Sequence, residues 1–212
     1  MTEQQPYELV ERYSDFELRR YPAQAVAEVE VTASFDRAGN VAFRHLFDYI
    51  SGNNTARQSL SMTAPVIQGV AASQQDSTER VQMTAPVLQR GPLDDGPSGE
   101  GEVNESAYTV AFVLPAGMTE ETAPVPTDPR VKIRTLPGST AAVLRFSGSG
   151  SRSAFVKRSQ ELQRAVVGAG LRPSGPVRFA RFDPPFKPWF LRRNEVIQDV
   201  EQSDAASLPP VE

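Results

Sequence analysis

The sequence predicts an α+β fold: a distorted antiparallel β-barrel with two flanking helices, built as a pseudo-twofold repeat of two strand-helix-strand halves. Three observations predict it. Two segments carry apolar residues at helical spacing, and each is flanked by strand-like runs joined through short turns. Short connections favour antiparallel pairing, and a sheet curling under both helices would bury their apolar faces. Finally, Met62-Thr63-Ala64-Pro65-Val66 recurs letter for letter as Met83-Thr84-Ala85-Pro86-Val87. Each copy fits a strand that leaves its ladder at the proline, which has no backbone donor and confines the residue before it to extended geometry. The copies are expected to face each other across a hairpin, either as core strands or as the lining of a ligand cavity.

The elements follow in order. Tyr7 to Tyr13 and Phe16 to Tyr21 are expected as strands around a Ser14-Asp15 turn. Ala23 to Val31 alternates, with Ala25, Ala27, Val29 and Val31 on one face and Glu28 and Glu30 on the other. Ser34 then suits an N-cap, and Asp36 suits the first turn of a helix. Phe35, Ala42, Phe43, Leu46, Phe47 and Ile50 fall on one broad face of that helix, which ends at Gly52. Leu60 to Ile67 and Val81 to Leu88 carry the two repeats. Arg90 to Ser106, rich in Gly, Pro, Asp and Glu, is expected as a mobile loop. Tyr108 to Leu114 is an apolar strand, and Val131 to Leu136 with Thr140 to Phe146 form a predicted hairpin around Pro137-Gly138. Ser147 to Ser153 leads into a second helix with Phe155, Leu162, Val166 and Ala169 inward. Val177 to Phe182 and Asn194 to Val200 close the fold, and 201–212 is expected as a disordered tail.

Composition narrows the chemistry. The chain has 212 residues, no cysteine and one histidine, which excludes disulfides, thiolate catalysis and multi-His or Cys metal sites. Its formal net charge of −4 argues against a nucleic-acid partner, which needs a concentrated basic face. Of the cationic side chains only Lys132, Lys157 and Lys187 are lysines; the rest are arginines, whose forks suit carboxylates. No window approaches the ~20 apolar residues of a membrane span, and the polar start is unlike a signal peptide, so a soluble, cytoplasmic protein is expected.

The motifs converge on one family. Tyr7-Glu8-Leu9-Val10, Phe43 to Asn53, both MTAPV copies, Phe112 to Pro115, Pro124-Val125-Pro126, Arg145-Phe146-Ser147-Gly148, and Asp183 to Trp189 with Arg193-Asn194-Glu195-Val196 occur in that order over roughly residues 7 to 200. In this ordered set the chain resembles the SOUL heme-binding protein family, as a single domain over 1–200. The resemblance implies the barrel with two helices, and binding of heme or another tetrapyrrole, usually without catalysis. The same architecture is similar to ligand-binding domains of some bacterial transcription regulators.

The resemblance also implies a site: an apolar groove between the first helix and the barrel, with basic residues near the propionates. Phe43, Phe47, Met62 and Met83 would contact the ring, Arg44 would meet a propionate, and His45 is the candidate axial ligand of the iron. Asp48 departs from this pattern, because its charge would repel a propionate; Arg44 and Arg57 remain close in sequence. His45 is either a half-exposed helical histidine or that ligand. Tyr49 is a further candidate. Met62 and Met83 are either core fillers or thioether ligands. Glu195 either satisfies backbone groups at the last strand or serves as a base or a partner for a basic ligand. Ser61, Thr63 and Thr84 have no evident base beside them. The alternative expectation is therefore a barrel for another amphipathic or apolar small molecule, with weak hydrolase activity.

Overall fold

The computed structural model describes residues 3–61, 63–64, 66–70, 106–183 and 187–201. In chain order the elements are β1 (Glu3–Gln4), β2 (Glu8–Arg12), β3 (Glu17–Tyr21), β4 (Gln24–Ala33), α1 (Phe35–Ile50), β5 (Thr63–Ala64), β6 (Val66–Val70), β7 (Ser106–Val113), β8 (Val131–Leu136), β9 (Ser139–Ser147), α2 (Arg152–Gly168), β10 (Pro173–Arg181) and β11 (Arg193–Val200). Nine strands form one antiparallel sheet in the order β2-β3-β9-β11-β10-β6-β7-β4-β8, while β1 pairs in parallel with β5. The second MTAPV copy, the 90–106 loop up to Glu105, and Met62 and Pro65 of the first copy lie outside the described residues, as does 202–212. Of the first copy, Thr63–Ala64 forms β5, and Val66 opens β6, which is paired between β10 and β7.

Among the described residues the sheet is open, in contrast to the expected barrel. Its edges are β2 and β8, and each is blunted locally. A register shift between Leu9 and Glu11 interrupts the β2–β3 ladder, and a bulge of this kind discourages further pairing. At the other edge the Glu120 carboxylate accepts from the Thr135 N–H (3.1 Å) and hydroxyl (3.2 Å).

The predicted hairpin around Pro137-Gly138 does not form. β8 pairs with β4, and β9 pairs with β3 and β11. The β3–β4 and β8–β9 connections pass against each other: a Cβ on Gly138 would stand 3.1 Å from the Tyr21 carbonyl oxygen. Gly138 therefore serves a close approach of two backbones rather than a hairpin turn.

Both helices cover one face of the sheet. α1 packs on β4 and β7, α2 on β9, β10 and β11. Phe35 of α1 stacks on Phe155 of α2 (centroids 5.2 Å apart) and touches Phe179 of β10 (5.8 Å). Ser34 occupies the N-cap position without a side-chain cap bond. Asp36 instead accepts from the Arg152 N–H (3.1 Å), tying the starts of the two helices together. α1 buries Phe35, Ala38, Gly39, Ala42, Leu46, Tyr49 and Ile50. Phe43 and Phe47, expected on the inner face, are 36% and 43% exposed. The buried stripe is turned toward Tyr49, which leaves both phenyl rings on a flank.

The other face is buried in part, and it carries charge. Cross-strand partners place Glu17, Arg19, Tyr21, Val143, Arg145, Glu195 and Ile197 on it together. The Arg19 and Glu195 side chains are 2% and 1% exposed and meet at 3.0 Å. Arg193 bonds the other Glu195 oxygen at 3.2 Å, and the Arg19 guanidinium lies 4.2 Å from the Tyr7 ring centroid. Arg19 also bonds Glu17 at 2.7 Å, so removing Glu195 leaves the buried guanidinium with that one partly exposed carboxylate. Glu195→Ala should therefore lower stability by about 3–5 kcal/mol. Adding Arg19→Met should recover part of that loss in denaturant unfolding. A mild loss in the single variant, or no recovery in the double, would contradict a dry, coupled pair.

Candidate functional site

α1 has two flanks beside its buried stripe, and they differ. At about 100° per residue, His45 lies about 160° around the helix from both Phe43 and Phe47. The structure brings Phe43 and Phe47 together and sets His45 apart from them.

On the first flank the Phe43 and Phe47 rings are near-parallel, 15° apart in plane, with centroids 5.5 Å apart. Phe43 meets the buried Phe112 of β7 edge-on at 5.5 Å. Spacing of four residues explains the pair, since such side chains are neighbours on a helix surface. Arg44 is exposed on the outward side of α1 and has no ion-pair partner among the described residues. Asp48 is exposed as well. Met62 and Met83 lie outside the described residues.

The second flank is sealed by consecutive residues 124–128. The Tyr49 hydroxyl donates to the Pro124 carbonyl (2.9 Å), and the Thr55 N–H donates to the Val125 carbonyl (2.9 Å). Asn54 pairs with Pro126 in a β-bridge, and the Thr127 hydroxyl donates to the Asn53 carbonyl (2.9 Å). His45 Nδ1 stands 3.0 Å from Asp128 Oδ2. Asn54, itself buried, locks the turn by donating to the Tyr49 and Gln58 carbonyls. This strap was not foreseen beyond the Pro124-Val125-Pro126 motif. Its signal was the alternation of prolines with residues able to bond the helix end.

The electrostatics follow from the strap. Asp128 also accepts from the side chain and backbone N–H of Arg130, and those bonds, with the nearby charges, hold its carboxyl down to about 2. Facing that carboxylate, Nδ1 carries the proton in neutral His45, leaving Nε2 as the lone-pair nitrogen. Burial pushes the Tyr49 phenol up to about 12. The buried phenol acts as a strut between α1 and the Pro124 carbonyl. Glu195, the other candidate, lies on the opposite face of the sheet with its oxygens bonded by Arg19 and Arg193. Among the described residues no cluster of three or more His, Asp or Glu could hold a metal ion, and no helix is long and apolar enough to cross a membrane.

The raised pKa of Tyr49 ties its contribution to the protonated phenol. Its stabilising contribution is complete below pH ~10, the ordinary tyrosine value, and is lost as pH rises toward about 12. Tyr49→Phe should cost about 1 kcal/mol at pH 7 by removing one buried hydrogen bond. The gap to wild type should shrink in unfolding curves taken above pH ~10. A gap independent of pH would contradict the role of the phenol.

The chain resembles known proteins over most of its length. It is 28% identical over 183 residues to Heme-binding protein 1 of Xenopus laevis, spanning 85% of this chain and 81% of that protein. It is 27% identical over 182 residues to Heme-binding protein 1 of Sus scrofa, spanning 85% and 82%. Among solved structures, the EcmrR C-terminal domain superposes with a TM-score of 0.55 at 13% identity, covering 92% of this chain and 98% of that one. A hydrolase from Listeria innocua superposes with a TM-score of 0.57 at 14% identity, covering 91% and 94%. At such identities these structures share the fold alone. The model of the SOUL heme-binding protein family matches residues 2–80 and 70–199. With both halves matched, the chain belongs to the SOUL heme-binding protein family.

Proposed function

We propose that this chain is a noncatalytic heme- or tetrapyrrole-binding protein, a carrier, buffer or sensor, that holds the ring against the Phe43–Phe47 flank of α1. The carrying observation is the near-parallel pair of half-exposed phenyl rings, backed by Phe112, on the flank of α1 that the strap does not seal. An apolar disc laid there would cover two aromatic side chains that otherwise face water. Arg44 is the nearest cation in sequence and pairs with a propionate in this reading; Asp48 limits the charge the flank presents. Family membership supports the ligand class.

His45 fits less well with that ring. It sits about 160° away, with Nδ1 held by Asp128, so the Phe43–Phe47 flank binds the ring through apolar contact and charge without a histidine ligand. Were iron ligation to occur on the other flank, Nε2 is the nitrogen the Asp128 bond leaves for it. Heme itself would supply only its ring and iron to such a complex; the work of the chain is to bind, orient and shield it.

The alternative is a barrel for another amphipathic ligand, and its hydrolase activity would draw on Glu195 as a base. Glu195 is paired on both oxygens and gives the hydrolase part of that reading no support. We also infer a pseudo-twofold repeat, because exchanging β3, β4, β6 and β7 with β8, β9, β10 and β11 reproduces their strand order from the opposite end.

Hemin titration followed in the Soret region tests the site. Phe43→Ala with Phe47→Ala should weaken binding about tenfold or more, the cost of two aromatic contacts. His45→Ala should leave the spectrum and affinity unchanged. Loss of the Soret shift in His45→Ala, with the phenylalanine double variant binding normally, would move the site to the strapped flank. Absence of any stoichiometric shift in the wild type would remove the function.

A further inference from the structure

A second concavity lies away from α1, at the open end of β9. The β3–β9 ladder stops at Glu17↔Val143, so Leu144 and Arg145 run on past the end of β3. Between them, the Ser14–Asp15 turn and α2 lies a groove of about 610 Å³. A smaller recess of about 260 Å³ adjoins it through Arg145 and reaches the buried Arg19. The larger volume is within the range of small-molecule sites, ~300–1,000 Å³.

The chemistry of the walls is lopsided. The two linings together carry five arginines against three carboxylates, in a chain of formal net charge −4. Arg145 is 57% exposed, and its carboxylate partner is Glu195 at 3.7 Å, whose oxygens already take bonds from Arg19 and Arg193. Arg158 lies over Phe146 (5.6 Å) and is oriented by Glu161 (2.6 Å). Arg164 is exposed, donates through Nε to the Gln160 carbonyl (3.2 Å), and has no carboxylate partner among the described residues. Leu144 and Ala165 supply apolar wall between these cations.

We propose that this groove binds a small organic anion, an acidic group on an apolar body. Arg145 and Arg164 take the acidic group by charge-assisted hydrogen bonds, with Arg158 fixed beside them, and Leu144 and Ala165 take the body. The site is separate from the α1 flank and stands or falls without it.

The probe is 1-anilinonaphthalene-8-sulfonate, titrated into the full chain by fluorescence and calorimetry. Saturable binding should weaken about tenfold in Arg145→Gln/Arg164→Gln, since two charge-assisted bonds are lost. It should vanish in Arg145→Gln/Arg164→Glu and persist in Phe47→Ser. Arg164 has no carboxylate partner among the described residues, and Arg145→Gln gives up only a 3.7 Å contact with an already paired Glu195, so the variants should keep the wild-type circular dichroism. Unchanged affinity in the glutamine and glutamate variants, loss of binding only in Phe47→Ser, or absence of saturable binding in the wild type would overturn the proposal.

Discussion

The seating of α1 on β4 and β7 fixes what the molecule can offer a ligand. A helix laid on a sheet hides one stripe and keeps two flanks. Here the stripe runs through Ala38, Ala42, Leu46 and Tyr49, and its orientation decides the fate of every nearby side chain. Tyr49 turns inward and becomes a strut. Phe43 and Phe47 turn outward and leave apolar surface in water. His45 falls to the side where residues 124–128 bond to the helix and the loop after it. One site cannot use the full set of residues when they divide between flanks about 160° apart.

The sheet imposes a second division. One face is apolar and carries both helices; the other is held by ion pairs centred on Glu195 and Arg19. Burying charge there is tolerable because each group has opposite-charge partners within bonding distance, Arg19 on Glu17 and Glu195 and Glu195 on Arg19 and Arg193. The same pairing occupies the carboxylate that a base or a cation receptor would need. At the end of β9 the balance tips, and Arg145 reaches an open groove with more cations than acids.

Much of this was legible in the sequence, in proportion to how local the signal was. Alternation from Ala25 to Val31 gave β4, and helical spacing gave α1 and α2 close to their observed ends. The ordered motifs carried the family. What failed was non-local. Pro137-Gly138 has the composition of a hairpin turn, but the glycine serves the approach of the Tyr21 backbone, and β8 and β9 take other partners. The apolar face of α1 was broadly correct, yet periodicity at 100° per residue cannot distinguish an inward Tyr49 from an inward Phe47 when both border the stripe. Barrel closure likewise rested on pairing between distant edges, which Glu120 and the β2 register shift work against. Asp128 gave no local hint that it would meet His45, and the repeated methionines fall outside the described residues.

The flank that takes the ring can be read from a map of the bound tetrapyrrole on the isotopically labelled protein, using a diamagnetic zinc porphyrin and its ring-current shifts. The largest shifts are expected at Phe43, Arg44, Phe47 and Phe112, with His45, Asp128 and Arg130 little changed. Largest shifts at His45 and Asp128 instead, with Phe43 and Phe47 unmoved, would contradict that placement.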